Sequence, residues 1–532
     1  MPGKTPDVTV QQSSSPVYPA ASDPPKAHPQ THLAAPRTLS KRRSVARINH
    51  QLIKPNGTHS SCTSDTRPKA MNIGDSMAEL SLDFIVVGAG ISGLATAFAL
   101  AKGGHRVRVF ERNNGPNQRS VGIRIPPNLS KILYEWGLSD ELSSASRCLK
   151  SSFLSLETNQ PIGQLEWRED VIKETGGDFL LMHYDDFYLL LYRLAESKGV
   201  QISFDSEIVS VSYDDALKLP VVNLASGDIH AADLVIGADG YNSLVRDVVT
   251  EAPDPAVDTG MSYVSFVVPA EKLQEDPDWS KWVGVSEWPI WMGNGRNLLV
   301  YPVRGGKEYS VHAYHPDRLI KTTNLSESWK TVVPTDHILH DDAHPSVNRL
   351  FNMAPDAIVV KYLMREIVDD WVDESGKILL IGEAAHALMP CTIHNLALAV
   401  EDAAVLGGLM SHLRSRKQIP QFLEAFQDLR FARIQQVHQS ELSNAALTVM
   451  PPGEHQDQRN AGMARSLEQT SGEWDDEQLQ QQWDEISFAF GYNALDAAED
   501  WWLTFGSLGD TARLSMQFKN LQLMCEVIST EN

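Results

Sequence analysis

Asp83-Phe84-Ile85-Val86-Val87-Gly88-Ala89-Gly90-Ile91-Ser92-Gly93 is the stretch that decides the fold of this chain. A short β-branched run passes at once into three spaced glycines, and a helical stretch follows to about Gly103-Gly104. Each glycine has its own duty: Gly88 permits the tight turn, Gly90 lets the backbone approach a pyrophosphate, and Gly93 lets the helix pack closely. The helix N-terminus that they open attracts phosphate. The next strand, Arg106-Val107-Arg108-Val109-Phe110, ends in Glu111, at the distance where an acid accepts hydrogen bonds from a ribose diol. A lone GxGxxG is weak evidence. Strand, turn, helix, strand and acid in that order make a complete βαβ unit and predict an α/β, Rossmann-type dinucleotide-binding domain.

The rest of the composition narrows the function. At 532 residues with 42% hydrophobic content, the chain is long enough for two or three domains around a sizeable core. A formal net charge of -22 repels nucleic acid backbones and anionic lipid surfaces, so neither is an expected partner. Cys62, Cys148, Cys391 and Cys525 lie far apart, with no zinc-ligand spacing, and read as reduced intracellular thiols; no metal is expected. The longest apolar run, Phe84 to Ala101, holds three glycines and reads as a buried strand entering a helix rather than a membrane span.

Along the chain, residues 1–78 are rich in Ser, Pro, Thr and Gln, carry the basic cluster Lys41-Arg42-Arg43 with Arg47, and show no hydrophobic periodicity. Such a segment predicts a disordered extension; a cytoplasmic protein is expected, with a mitochondrial transit peptide as the alternative. The FAD-binding domain is expected to begin over 79–150 and return at 231–252 and 371–413. A mixed region is expected over 151–230, and an antiparallel substrate sheet over 253–370, where runs such as Asn297-Leu298-Leu299-Val300-Tyr301 stand between turn signals. Residues 414–532 read as helical, and an earlier helix is predicted from Ala397 to Leu413.

Two further elements carry chemistry. The strand Leu234-Val235-Ile236 runs into Gly237-Ala238-Asp239-Gly240-Tyr241-Asn242-Ser243-Leu244-Val245-Arg246, and Ile378-Leu379-Leu380-Ile381 runs into Gly382-Glu383-Ala384-Ala385-His386 with Pro390 and Glu401-Asp402-Ala403. The first resembles the GADGxxSxVR signature of the class A flavoprotein monooxygenases; the second is similar to that family's GDAAHxxxP, GQG and EDA elements. The resemblance covers roughly residues 83–433, with salicylate-hydroxylase-like enzymes, including fungal ones of secondary metabolism, as the nearest subgroup. Gly491-Tyr492 with Trp501-Trp502 is also similar to that subgroup.

The resemblance implies FAD as cofactor, NAD(P)H and oxygen as co-substrates, and hydroxylation, with or without accompanying decarboxylation, of an aromatic small molecule such as a phenol or hydroxybenzoate-like acid. It implies that Glu111 holds the adenosine ribose, that Arg124 lies along the ribityl side of the flavin, that Asp239 serves both FAD and NAD(P)H, and that Glu383 faces the ribityl and pyrophosphate region. No second GxGxxG unit is present, which suits a family without a dedicated nicotinamide domain. Epoxidation of a non-aromatic metabolite is supported by the same signatures.

Three positions depart from the family's pattern. Glu383 stands for its Asp, Tyr184 for an expected Arg, and Ile393-His394-Asn395 for its Gly-Gln-Gly. Two glycines thereby gain side chains where backbone and flavin ring are expected to be close. His394 and Asn395 are expected beside the flavin pyrimidine, His394 adding positive charge to a helix N-terminus and Asn395 tolerating positive φ. A flavin-binding protein that has lost monooxygenation is the alternative these departures raise. No catalytic residue is nominated; His386, a lone His beside alanines, reads as packed or capping. Trp288, Trp291, Tyr301 and Tyr314 read as sheet core or as the wall of an apolar pocket.

Overall fold

The strand Asp83–Val87 lies at the centre of a parallel five-stranded sheet, between Leu234–Gly237 on one side and Arg106–Phe110 on the other, with Ile378–Leu380 and Gln201–Ser203 at the edges. The strands Asp83–Val87, Leu234–Gly237 and Ile378–Leu380 read as near-continuous apolar runs because both of their faces are buried. The computed structural model describes residues 77–116, 121–251, 255–322, 325–468 and 476–507. The predicted N-terminal extension lies outside the described residues up to position 76.

Register does the functional work in this sheet. Val87 pairs with both Phe110 and Gly237, and Gly237 pairs with Leu380. The residues that follow these strand ends therefore leave the sheet at one carboxyl edge: Gly88, Glu111, Ala238-Asp239 and Ile381-Gly382-Glu383. Open α/β sheets bind ligands at such an edge.

The helix Ile91–Lys102 crosses the sheet beneath the helix Asn395–Ser411, and nearly every side chain of both is buried. Small residues set their distance: a Cβ built on Gly407 would lie 2.6 Å from the Ala99 methyl. The second helix was expected from Ala397 and starts two residues earlier. Its first turn is held by side chains, since Thr392 Oγ1 donates to Asn395 Oδ1 at 2.6 Å and Asn395 Nδ2 to the Met389 carbonyl at 2.7 Å.

A second, eight-stranded sheet runs in the order Val332–Pro334, Asp356–Met364, Val257–Pro269, Glu308–Pro316, Arg296–Val303, Glu287–Gly293, Lys150–Ser155, Pro161–Glu166. Its neighbours are antiparallel except for Glu287–Gly293 and Lys150–Ser155, which are parallel, so the sheet is mixed rather than antiparallel throughout. A small antiparallel sheet contains Gly122–Ile125 and Leu180–His183. The C-terminal part is helical, led by the 30-residue helix Ile419–Thr448.

Candidate active site

A cavity of about 340 Å³ opens at the carboxyl edge of the parallel sheet. At one end its wall is the turn Gly88, Gly90, Ser92 with Glu111, Asp239 and Glu383; at the other it is Arg124, Tyr301, Trp329, Cys391 and Asn395.

The turn is built for close approach. Gly88 has φ +98°, and a Cβ there would fall 2.6 Å from the Ala238 carbonyl oxygen, so only glycine fits. A Cβ on Gly93 would fall 2.0 Å from the Gly88 carbonyl oxygen. Gly93 thus closes the helix onto the strand and is not part of the cavity wall. Gly90 differs: nothing lies within 4 Å of the space its Cβ would enter. That space belongs to the cavity, in front of the N-terminus of the helix Ile91–Lys102, where backbone N–H groups point outward without partners. Beside it, Ser92 Oγ is buried without a hydrogen-bond partner.

The acids are placed to different degrees. Glu111 is held by its own surroundings: Oε2 accepts from the Ala89 N–H at 2.8 Å and Oε1 from the Asn113 N–H at 2.9 Å. Asp239 accepts from Ser243 Oγ at 2.5 Å and the Val245 N–H at 3.1 Å, capping the helix Leu244–Thr250 while standing on the cavity wall; burial pushes its carboxyl above the usual range, against these hydrogen bonds. The Glu383 carboxylate has no hydrogen-bond or ion-pair partner among the described residues and opens onto the cavity. A glycine turn with open space at its centre, an orphaned hydroxyl and a free carboxylate fit the pyrophosphate and sugar hydroxyls of a dinucleotide.

His386 is also on the wall. Its Nε2 hydrogen-bonds Asp402 at 2.7 Å, and Asp402 accepts in addition from the Gly382 N–H at 3.0 Å and Arg430 Nε at 2.8 Å. Arg430 is fully buried and pairs as well with Glu401 at 2.8 Å. Asp402 therefore holds the Gly382–His386 turn from behind, itself held by Arg430. Tyr184, where the resemblance expects an arginine, is buried at the start of the helix Tyr184–Ser197 and contributes to the wall.

His394 does not stand where the sequence reading puts it. The wall includes Thr392, Asn395 and Leu396 but not His394, whose ring turns away to hydrogen-bond Glu441 and to stack on Phe490 at 5.7 Å. The reason is a buried carboxylate on the far side, which offers the imidazole a partner that the cavity does not. The aromatic residues divide as well. Tyr301 is on the wall; Trp288 lies under the Arg124 guanidinium at 5.7 Å; Trp291 packs against Trp279 in a separate core; and the Tyr314 hydroxyl donates to the Pro390 carbonyl. Trp329 and Cys391, the latter at φ +53°, are wall residues that no local pattern singles out.

One parallel-sheet edge carrying the βαβ turn, with a second sheet behind the cavity, defines a dinucleotide-binding flavoprotein. The chain belongs to the FAD binding domain family, whose sequence profile matches residues 81–441, and it is an FAD-dependent monooxygenase. It is 30% identical over 370 residues to the FAD-dependent monooxygenase cfoG of Aspergillus candidus, spanning 66% of this chain and 82% of that one. It is 26% identical over 372 residues to hispidin-3-hydroxylase of Neonothopanus nambi, 66% of this chain and 86% of that one. A solved salicylate hydroxylase substrate complex superposes with a TM-score of 0.62 at 20% identity, over 79% of this chain and 97% of that one, and shares the fold.

Proposed function

We propose that the enzyme uses NAD(P)H and oxygen to hydroxylate a phenolic or hydroxybenzoate-like small molecule, one oxygen atom entering the ring and the other leaving as water. The observation that carries this reading is a single cavity with a dinucleotide cradle at one end and an aromatic wall, Tyr301 and Trp329, at the other. Relatives named as hydroxylases, hispidin-3-hydroxylase among them, support it. FAD, when bound, supplies the electron transfer and oxygen activation, for which no protein side chain is suited.

The chain's own residues bind, orient and shield. The helix N-terminus behind Gly90 would take the pyrophosphate charge, Glu111 and Glu383 would accept from sugar hydroxyls, and Asp239 would stand between cofactor and turn. Tyr301 and Trp329 exclude water from the inner end, which keeps reducing equivalents from being lost to solvent.

The test is to purify the protein, record its visible spectrum, and follow NAD(P)H oxidation with salicylate and 4-hydroxybenzoate while identifying products by mass. An aromatic product heavier by one oxygen atom supports the reading. Oxygenated product only from non-aromatic substrates, as in epoxidation, defeats it.

A further inference from the structure

Four arginines are buried among the described residues: Arg296 pairs with Asp342, Arg430 with Glu401 and Asp402, and Arg433 with Glu401, while Arg246 spends its guanidinium on the Tyr241, Glu383 and Ala384 carbonyls. Arg124, half-buried on the cavity wall, has fewer partners. Arg124, on the strand Gly122–Ile125, makes no ion pair among the described residues; its guanidinium donates to the Cys391 carbonyl and rests over the Trp288 ring. Glu441, the carboxylate whose charge reaches Arg124, is already engaged by His394 at 2.5 Å. A guanidinium with spare donors on a cavity wall is costly to keep without an anion.

Tyr301 supplies the second, independent observation. It is 1% exposed and on the same wall, yet its hydroxyl has no hydrogen-bond partner among the described residues. Its ring is fixed, lying flat on His312 at 4.7 Å and 13°. His312 cannot satisfy that hydroxyl, because Nδ1 is taken by the Tyr263 hydroxyl and Nε2 by Ser310 Oγ at 2.8 Å.

We propose that Arg124 and Tyr301 form an anion subsite at the inner end of the cavity, which takes an acidic oxygen group of the substrate, so that the enzyme selects organic acids over neutral arenes. The subsite rests on the hydroxylase reading and deepens it. A planar guanidinium and a phenolic O–H together offer the donors that a carboxylate or an ionised phenol accepts, and Trp288 holds the guanidinium plane from below. Arg124 is then a substrate residue, where the family resemblance alone makes it a flavin residue.

The test titrates the FAD-loaded enzyme with salicylate, with salicylamide as its neutral counterpart, and with ionised 4-nitrophenol, reading the flavin absorption difference. Salicylate should bind at least about tenfold tighter than salicylamide, the scale of a charge-assisted hydrogen bond. Arg124→Gln should weaken salicylate about 10- to 100-fold and leave salicylamide and the FAD dissociation constant within about threefold; Arg124→Lys should recover part of the loss, and Tyr301→Phe should weaken the acid several-fold. The 4-nitrophenol arm says whether an ionised phenol serves as well as a carboxylate. The proposal is overturned if Arg124→Gln binds salicylate normally, if acid, amide and FAD all weaken together, or if neither anion binds the parent enzyme. Acid binding without any hydroxylated product would sink the hydroxylase reading and leave the subsite; hydroxylation of neutral arenes indifferent to Arg124 would do the reverse.

Discussion

Glu441, on the helix Ile419–Thr448, accepts from both the backbone N–H and the ring Nδ1 of His394, at 3.1 and 2.5 Å. One carboxylate from a distant helix thus caps the start of the helix Asn395–Ser411 and fixes the side chain that precedes it. Burial opposes the Glu441 charge, but the His394 hydrogen bond and charge, with Arg124 beyond, hold its carboxyl below the usual range. Glu441→Ala is expected to cost about 3 kcal/mol in urea unfolding, because the imidazole and an N–H lose a buried partner; Glu441→Gln, which still accepts from the N–H, should cost less. The lowered carboxyl contributes stability above its unfolded pKa of about 4.3, and that contribution disappears as pH falls through the lower folded value. The parent and Glu441→Gln curves should therefore converge in acid; a constant gap from pH 7 to pH 3 would contradict the assignment.

Gly90 and Gly88 should fail differently. At Gly90 the backbone is extended and the Cβ space is open, so Gly90→Val is expected to fold normally and lose FAD. At Gly88 a side chain meets the Ala238 carbonyl in a left-handed backbone, so Gly88→Val should lose soluble protein. Circular dichroism of the apo-protein with flavin content separates the two; a Gly90→Val protein with full flavin content would contradict the cradle.

Arg430 bridges two fully buried carboxylates, Glu401 and Asp402, with Arg433 also reaching Glu401. Arg430→Met should destabilise the chain by about 3–5 kcal/mol, since it strands buried charge. Asp402 then loses one of the groups that hold the Gly382–His386 turn. A drop in urea midpoint together with weaker FAD binding is the expected pair of results; an unchanged midpoint would show that the network is dispensable.

The His315 and His340 rings meet at 4.8 Å, tilted by 55°, against the large sheet, and burial drives them down to about 3 and about 2, with the Arg296 charge adding to both. Below the unfolded histidine value of about 6.5 the unfolded chain binds protons that the native one refuses, so stability falls as pH drops, by up to about 1.4 kcal/mol per pH unit for each ring. His340→Leu removes one such site, whose Nε2 is buried and unpartnered. Its stability between pH 6.5 and 4.5 should decline less steeply than the parent's, and parallel curves would refute this.

What the sequence determined by itself was local and periodic. The βαβ unit is legible because strand, glycine turn, helix and terminal acid lie within Asp83–Glu111, and each residue's role follows from backbone geometry that its neighbours impose. That Asp239 and Glu383 serve the same cofactor was implied by the family resemblance of their motifs; the parallel register of their strands is what brings them to one edge. What only the tertiary structure decided was which way a side chain turns when partners compete. His394 leaves the cavity for Glu441, 47 residues on; Arg124 makes no ion pair among the described residues; and of four sheet aromatics, only Tyr301 reaches the wall. Such choices depend on burial and on partners brought together by packing of distant helices and strands, and no spacing along the chain encodes them.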